Sequence, residues 1–244
     1  MSLPLTEPEA REEICRVGKS LFERGYVHAT AGNISVRLED SAGGGFLMTP
    51  TDACLGHLNP TTLSRLDAEG RQTSGARASK SWALHRQIYQ AASRFDPGTR
   101  CIIHTHSSHC VATTLLVSGS SGSSHSGGNG SKELLPALTP YFVMKVGHVP
   151  IVPYHRPGDP AAAALAASTV ARYGEAGTPI RAVMLERLGP NVWHESPAAA
   201  MAVLDELEET AKLWHLCHAS GLPLPVALDA AQISELRQTF GARW

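Results

Sequence analysis

The chain has 244 residues, 43% of them hydrophobic and 18% charged, and a formal net charge of −1. That length can bury a sizeable core, and a single α/β domain over residues 1–244 is the expectation, globular rather than disordered. A near-neutral chain has no broad basic field for nucleic acid or an anionic membrane, and no run approaches the ~20 apolar residues of a membrane span.

Residues 1–10 are polar and acidic, without the basic and apolar regions of a signal peptide. The five cysteines (Cys15, Cys54, Cys101, Cys110, Cys217) are odd in number and form no C-x-x-C pair. They fit a reducing cytoplasm better than a disulfide framework. Twelve histidines is a high count, so only clustered ones carry weight.

Thr6-Glu7-Pro8-Glu9 reads as a helix start, with Thr6 as N-cap and Glu9 closing a capping box. Ile14, Val17, Leu21 and Phe22 then share one helical face, and Gly25 is placed to end it. Ile34, Val36 and Leu38 alternate with polar residues as a half-buried strand does. Gly43-Gly44-Gly45 turns into a second strand at 46–49, and a hairpin is expected around Asp67-Ala68-Glu69-Gly70. A helix is expected over 79–94. The apolar run Cys101-Ile102-Ile103 is a buried strand that delivers His104-Thr105-His106 at its end, with Ser107 or Ser108 capping the next helix. Residues 118–131 are Ser/Gly-rich and read as a mobile surface insert, in which His125 reads as a solvated loop histidine ahead of the alternative of a metal ligand; strand-like sequence resumes at Leu138. Further on come a strand at 149–152, a helix at 161–173, strands at 180–185 and 192–193 joined by a Leu188-Gly189-Pro190 turn, and a helix opened by Ser196-Pro197 and running to about Ser220. The alternation gives a mixed sheet covered by helices.

The chemistry concentrates in a few segments. In His104-x-His106, an extended backbone points both imidazoles to one side, where they can converge on one ion. Ala31-Gly32-Asn33-Ile34-Ser35 offers close backbone approach and neutral hydrogen bonds, suited to a phosphate or a hydroxyl-rich ligand. Thr49-Pro50-Thr51-Asp52 brings hydroxyls to the end of a strand. Ser79-Lys80-Ser81 opens a helix, whose first amides favour an anion, and Lys80 adds a point charge. Each has a plainer reading: histidines at a strand end, an ordinary turn, a solvated cap.

The order of Ala31-Gly32-Asn33-Ile34-Ser35, Thr49-Pro50-Thr51, Ser79 to His85 and His104-Thr105-His106 resembles the class II aldolase/adducin family. Thr49 to Gly56, Leu138-Thr139-Pro140-Tyr141 and Val152-Pro153-Tyr154-His155-Arg156-Pro157-Gly158-Asp159 look like its 3-oxo-tetronate 4-phosphate decarboxylase branch. The resemblance runs from about Ile14 to Cys217. It implies a three-layer α/β/α fold with a central mixed, largely antiparallel sheet, and a homotetramer with sites between subunits. It also implies a zinc or similar divalent ion held by three histidines. His104 and His106 then fall on metal positions, and Gly32, Asn33, Thr49, Thr51, Ser79 and Lys80 on substrate positions.

The chain departs from that pattern twice. Ser81 stands at the position of the family's catalytic acid, and Leu188-Gly189 stands where the third histidine sits in a His-Gly pair. Ser81 and Tyr141, with Lys80, are left as the catalytic candidates, and Glu186, two residues before Leu188, as the candidate third ligand; the alternatives are a surface ion pair of Glu186 with Arg187 or Arg181, and His148 or His155 as the ligand from another segment. The expected activity is carbon–carbon cleavage of a small phosphorylated sugar acid, releasing carbon dioxide and a triose phosphate through an enediolate. The alternatives are a fuculose phosphate aldolase-like cleavage, and a weakened or inactive binding or assembly module on the same fold, as in adducin head domains.

Overall fold

Thr6 starts α1 (Glu7–Glu23) with the capping box its spacing predicts: the Glu9 amide donates to the Thr6 hydroxyl, and the Thr6 amide donates to Glu9 Oε2 at 2.8 Å. The computed structural model describes residues 5–119, 125–126, 132–223 and 225–244. Ala10, Ile14, Val17 and Leu21 are the buried face of α1, while Phe22 lies at its margin and stays partly exposed.

The central sheet has eight strands. In chain order they are β1 (Asn33–Arg37), β2 (Phe46–Met48), β3 (Ser64–Leu66), β4 (Gln72–Ser74), β5 (Cys101–His104), β8 (Ile151–Val152), β9 (Ala182–Leu185) and β10 (Gly189–His194). β6 (His125–Ser126) and β7 (Lys132–Glu133) pair apart from it. The order across the sheet is β4-β3-β2-β1-β5-β10-β9-β8, and every pairing is antiparallel except β8 with β9. The sheet is therefore mixed and largely antiparallel, as expected. Its edge at β4 is polar and exposed, and Gln72 Nε2 donates to the carbonyls of Ser74, Gly75 and Ala76 while its Oε1 accepts from the Ala78 amide at 3.1 Å.

Strand alternation builds two cores. Ile103 of β5 faces α1 and α5 (Pro197–Ala219); Ile102 faces α2 (Trp82–Ala92) and α4 (Pro160–Glu175). Helices on both faces explain why β5 reads as an unbroken apolar run. α3 (Ser108–Gly119) packs beside α5, and its start is held from a distance: the Glu208 carboxylate of α5 accepts from the amides of His109 at 2.9 Å and Cys110 at 3.0 Å. Neither serine was needed as a cap.

Four expectations change. No strand forms at Leu138; the described segment there leads into a π-helical turn (Phe142–Val146), with the Thr139 hydroxyl accepting from the Phe142 amide. The β9–β10 turn is made by 186–188, and Gly189 and Pro190 already belong to β10. α6 (Ala230–Phe240), capped by Asp229 and Gln232, lies beyond the last element expected. Of the Ser/Gly-rich insert, β6 has a short antiparallel pairing; the remainder of 120–131 and the His125 side chain lie outside the described residues.

Candidate active site

β5 ends at His104, and the sheet register sets Asn33 of β1 on one side of it and Asn191 of β10 on the other. Alternation turns all three toward the face covered by α2 and α4. His104 is 4% exposed, and its Nδ1 donates to the Pro190 carbonyl at 3.0 Å, which leaves Nε2 with a free lone pair. His106, half-buried, has its ring centroid 5.1 Å from that of His104. Burial, with His106 nearby, pushes the His104 pKa down to about 3; burial, then His28, lowers that of His106. Both rings are neutral near pH 7, the state in which imidazole coordinates a metal.

Two glycines let other chain segments approach this strand end. A Cβ on Gly32 would stand 2.9 Å from the His104 carbonyl oxygen, and Gly32 has φ +84°. A Cβ on Gly189 would fall 1.9 Å from the Thr105 carbonyl oxygen. The non-glycine residues with positive φ among the described residues are Ala29, Asp52 and Arg187. Each lies within or next to a segment that lines the same cavity, a usual place for backbone strain of order 1–3 kcal/mol each.

That cavity, about 330 Å³, brings together Gly32, Asn33, Thr51, Ser79, Lys80, Ser81, His104, His106 and Glu186. It is at the small end of ligand pockets, sized for a metabolite rather than a dinucleotide. The Asn33 amide donates to Ser81 Oγ at 3.1 Å, while the buried Asn33 Oδ1 has no hydrogen-bond partner among the described residues. A ligand donor would satisfy it. Ser81 precedes α2 without making a side-chain cap bond; Ser79 accepts from the Ser81 amide at 3.3 Å and the Trp82 amide at 3.0 Å, which leaves the next first-turn positions, Ala83 and Leu84, open on the cavity wall.

Three expected site residues are placed otherwise. Thr49 is fully buried, and its hydroxyl accepts from the Ile34 amide at 3.1 Å, so it ties β2 to β1 and does not line the cavity. Tyr141 is 61% exposed and is not part of the cavity lining. Glu186 lines the cavity, but its Oε2 accepts from the Tyr154 amide at 2.8 Å. Among the described residues no group of three His, Cys, Asp or Glu side chains is gathered to hold an ion, so His104, His106 and Glu186 are not assembled as a trio.

The sequence reading assigned no role to Asp52 or Arg156, both on the cavity wall, and considered His155 there only as a ligand. The cue was the segment His155 to Asp159, a cation set in a Pro-Gly-Asp turn. On the walls two fixed cations, Lys80 and Arg156, face three carboxylates, Asp52, Asp159 and Glu186. Such a wall suits a cation as well as an anion, and the two neutral imidazoles are fitting donors for a divalent ion.

The family described as Class II Aldolase and Adducin N-terminal domain matches residues 12–215. The chain belongs to the class II aldolase and adducin family. It is 46% identical to a 3-oxo-tetronate 4-phosphate decarboxylase of Cupriavidus necator, over 98% of this chain and 99% of that one. It is 36% identical to the corresponding decarboxylase of Pectobacterium atrosepticum over 94% of each. The crystal structure of YgbL from Escherichia coli superposes with a TM-score of 0.78 at 35% identity, covering 95% of this chain and 99% of that one. Members of this family with such names are lyases, and the fold expected from the sequence is theirs. Among the described residues no helix is long and apolar enough to cross a membrane.

Proposed function

We propose that the chain is a metal-dependent carbon–carbon lyase that decarboxylates a 3-oxo-tetronate 4-phosphate to a triose phosphate. The observation that carries this reading is the single cavity in which two neutral imidazoles, the orphaned Asn33 oxygen and Lys80 beside the open start of α2 converge. The near full-length similarity to decarboxylases of that name supports the substrate class.

His104 and His106 would hold the ion, for which we propose zinc; Glu186, on the same wall, is the further candidate ligand, with its Oε2 kept on the Tyr154 amide. A bound divalent ion supplies Lewis-acid polarisation of the substrate oxygens. The remaining roles belong to the chain. Lys80, Ser79, Thr51 and the first turn of α2 receive the phosphate. Gly32 and Asn33 approach the substrate's oxygens. Ser81 Oγ accepts from Asn33, so its own hydrogen is free to donate to oxygen charge that develops as carbon dioxide leaves. A serine is no base near neutral pH, which assigns Ser81 to stabilisation rather than proton abstraction. Tyr141, exposed on this protomer, would serve only a neighbouring subunit's cavity, which accords with a homotetramer. A cytoplasmic setting fits the free cysteines.

The test is to incubate zinc-loaded protein with 3-oxo-tetronate 4-phosphate and, separately, with L-fuculose 1-phosphate. Carbon dioxide and a triose phosphate from the first are expected. Aldehyde from the second alone would make the chain an aldolase. Binding of both without turnover would make it a binding module on this fold.

A further inference from the structure

Sheet order puts His104 between two different cationic segments. On one side, after β2 and before α2, lie Thr51, Ser79 and Lys80; on the other, after β8 and before α4, lies the loop with His155 and Arg156. Both segments line the cavity. The two helix starts that face it differ: α2 has no side-chain cap, whereas α4 is already capped, with Asp159 Oδ1 accepting from the Ala161 amide at 3.0 Å. The α4 end therefore offers an anion its side chains rather than open helix amides.

Those side chains are a guanidinium and an imidazole on a braced loop. Glu186 holds the loop by the Tyr154 amide, and the Asp159 amide donates to the Arg156 carbonyl at 3.1 Å. His155 Nδ1 donates to the Pro153 carbonyl at 2.7 Å, which leaves Nε2 as the ring nitrogen available to a ligand. The Arg156 side chain is 73% exposed, and among the described residues it makes a loose ion pair with Asp159, Nε to Oδ2 3.6 Å, so most of its fork remains available. A planar guanidinium matches a carboxylate in two parallel hydrogen bonds.

We infer that Arg156, aided by His155, is the carboxylate-recognising end of a two-ended anion site whose phosphate end is at Lys80. The inference rests on the proposed reading of the cavity and deepens it. The site selects short chains that have a phosphate at one terminus and a carboxylate at the other, with the substrate's carbonyl and hydroxyl oxygens held between them at His104 and His106. A sugar phosphate lacking the carboxylate leaves Arg156 unengaged, and that difference sets an acid substrate apart from an aldol substrate at this cavity.

Two matched ligands isolate the effect: 4-phosphoerythronate, and erythritol 4-phosphate, which has CH2OH in place of the carboxylate. Their binding to the full chain is measured by titration calorimetry with wild type, Arg156→Ala, Arg156→Lys and Lys80→Ala. Arg156→Ala should weaken 4-phosphoerythronate at least tenfold and leave erythritol 4-phosphate unchanged, with Arg156→Lys in between. Lys80→Ala should weaken both. Equal loss of both ligands in Arg156→Ala, or loss of neither, overturns the inference. Failure of Lys80→Ala to weaken either ligand would instead count against the phosphate site, and it is read independently of turnover.

Discussion

Gly189 presses on Thr105: a side-chain carbon at position 189 would stand 1.9 Å from the Thr105 carbonyl oxygen, and 3.2 Å from the His106 Cα. The start of β10 thus touches the backbone that carries both imidazoles. Gly189→Ala should destabilise the fold by about 1–3 kcal/mol, the range of overpacked sites, and displace His104-Thr105-His106. Chemical denaturation and a metal-binding titration check it together. A variant with wild-type stability and ion affinity would contradict the close approach.

The two histidines should account for the ion. His104→Ala with His106→Ala should leave no stoichiometric zinc on the purified protein, as read by elemental analysis, while circular dichroism stays that of the wild type. Retention of one equivalent would move the metal elsewhere.

Glu208 is the cap of a helix in another part of the chain. Its carboxylate accepts two α3 amides and the His109 ring N–H at 2.8 Å, while only 4% of the residue is exposed. Glu208→Ala leaves those donors without their acceptor and should cost about 2–3 kcal/mol. Glu208→Gln keeps one acceptor oxygen and should cost less. Urea unfolding ranks the two, and an equal loss would show that the buried volume matters more than the cap.

His85 predicts a pH dependence. It is fully buried, its Nδ1 lies 2.7 Å from Ser35 Oγ, and burial, with His104 nearby, pushes its pKa down to about 3 from 6.5. Between those values the unfolded chain binds a proton there that the folded chain does not. This contribution is therefore intact above about pH 6.5 and is lost progressively as pH falls toward 3. The unfolding free energy of His85→Gln, followed from pH 7 to pH 5, should decline less steeply than that of the wild type. An identical slope would assign the decline to the other histidines.

Much of the fold was legible because its signals are local. The Thr6–Glu9 box, the apolar Cys101–Ile103 run and the Ser196-Pro197 helix start are each decided within a few residues. The lining of the candidate cavity was legible where a segment both resembles the family and faces the sheet end, as Gly32, Asn33, Lys80, His104 and His106 do. It was not legible where orientation decides. Thr49 and Thr51 read alike in sequence, yet one hydroxyl is consumed by the Ile34 amide and the other segment position lines the cavity. Glu186 has the right spacing from Leu188, but the loop after β8 offers its carboxylate the Tyr154 amide. Arg156 went unassigned because its importance comes from sheet order, which brings a segment more than seventy residues from Lys80 to the same cavity.

The Gln72 side chain has a consequence for the chain's behaviour at high concentration. An open sheet edge is a template on which another molecule can add a strand. At β4 the residues that would serve as that template are short, polar and exposed, and the carbonyls just beyond them are already occupied by a side chain of the same strand. The sheet therefore ends itself chemically. Strand addition at this border would first have to displace one side-chain amide, so the outer limit of the sheet is guarded by a residue remote from the cavity.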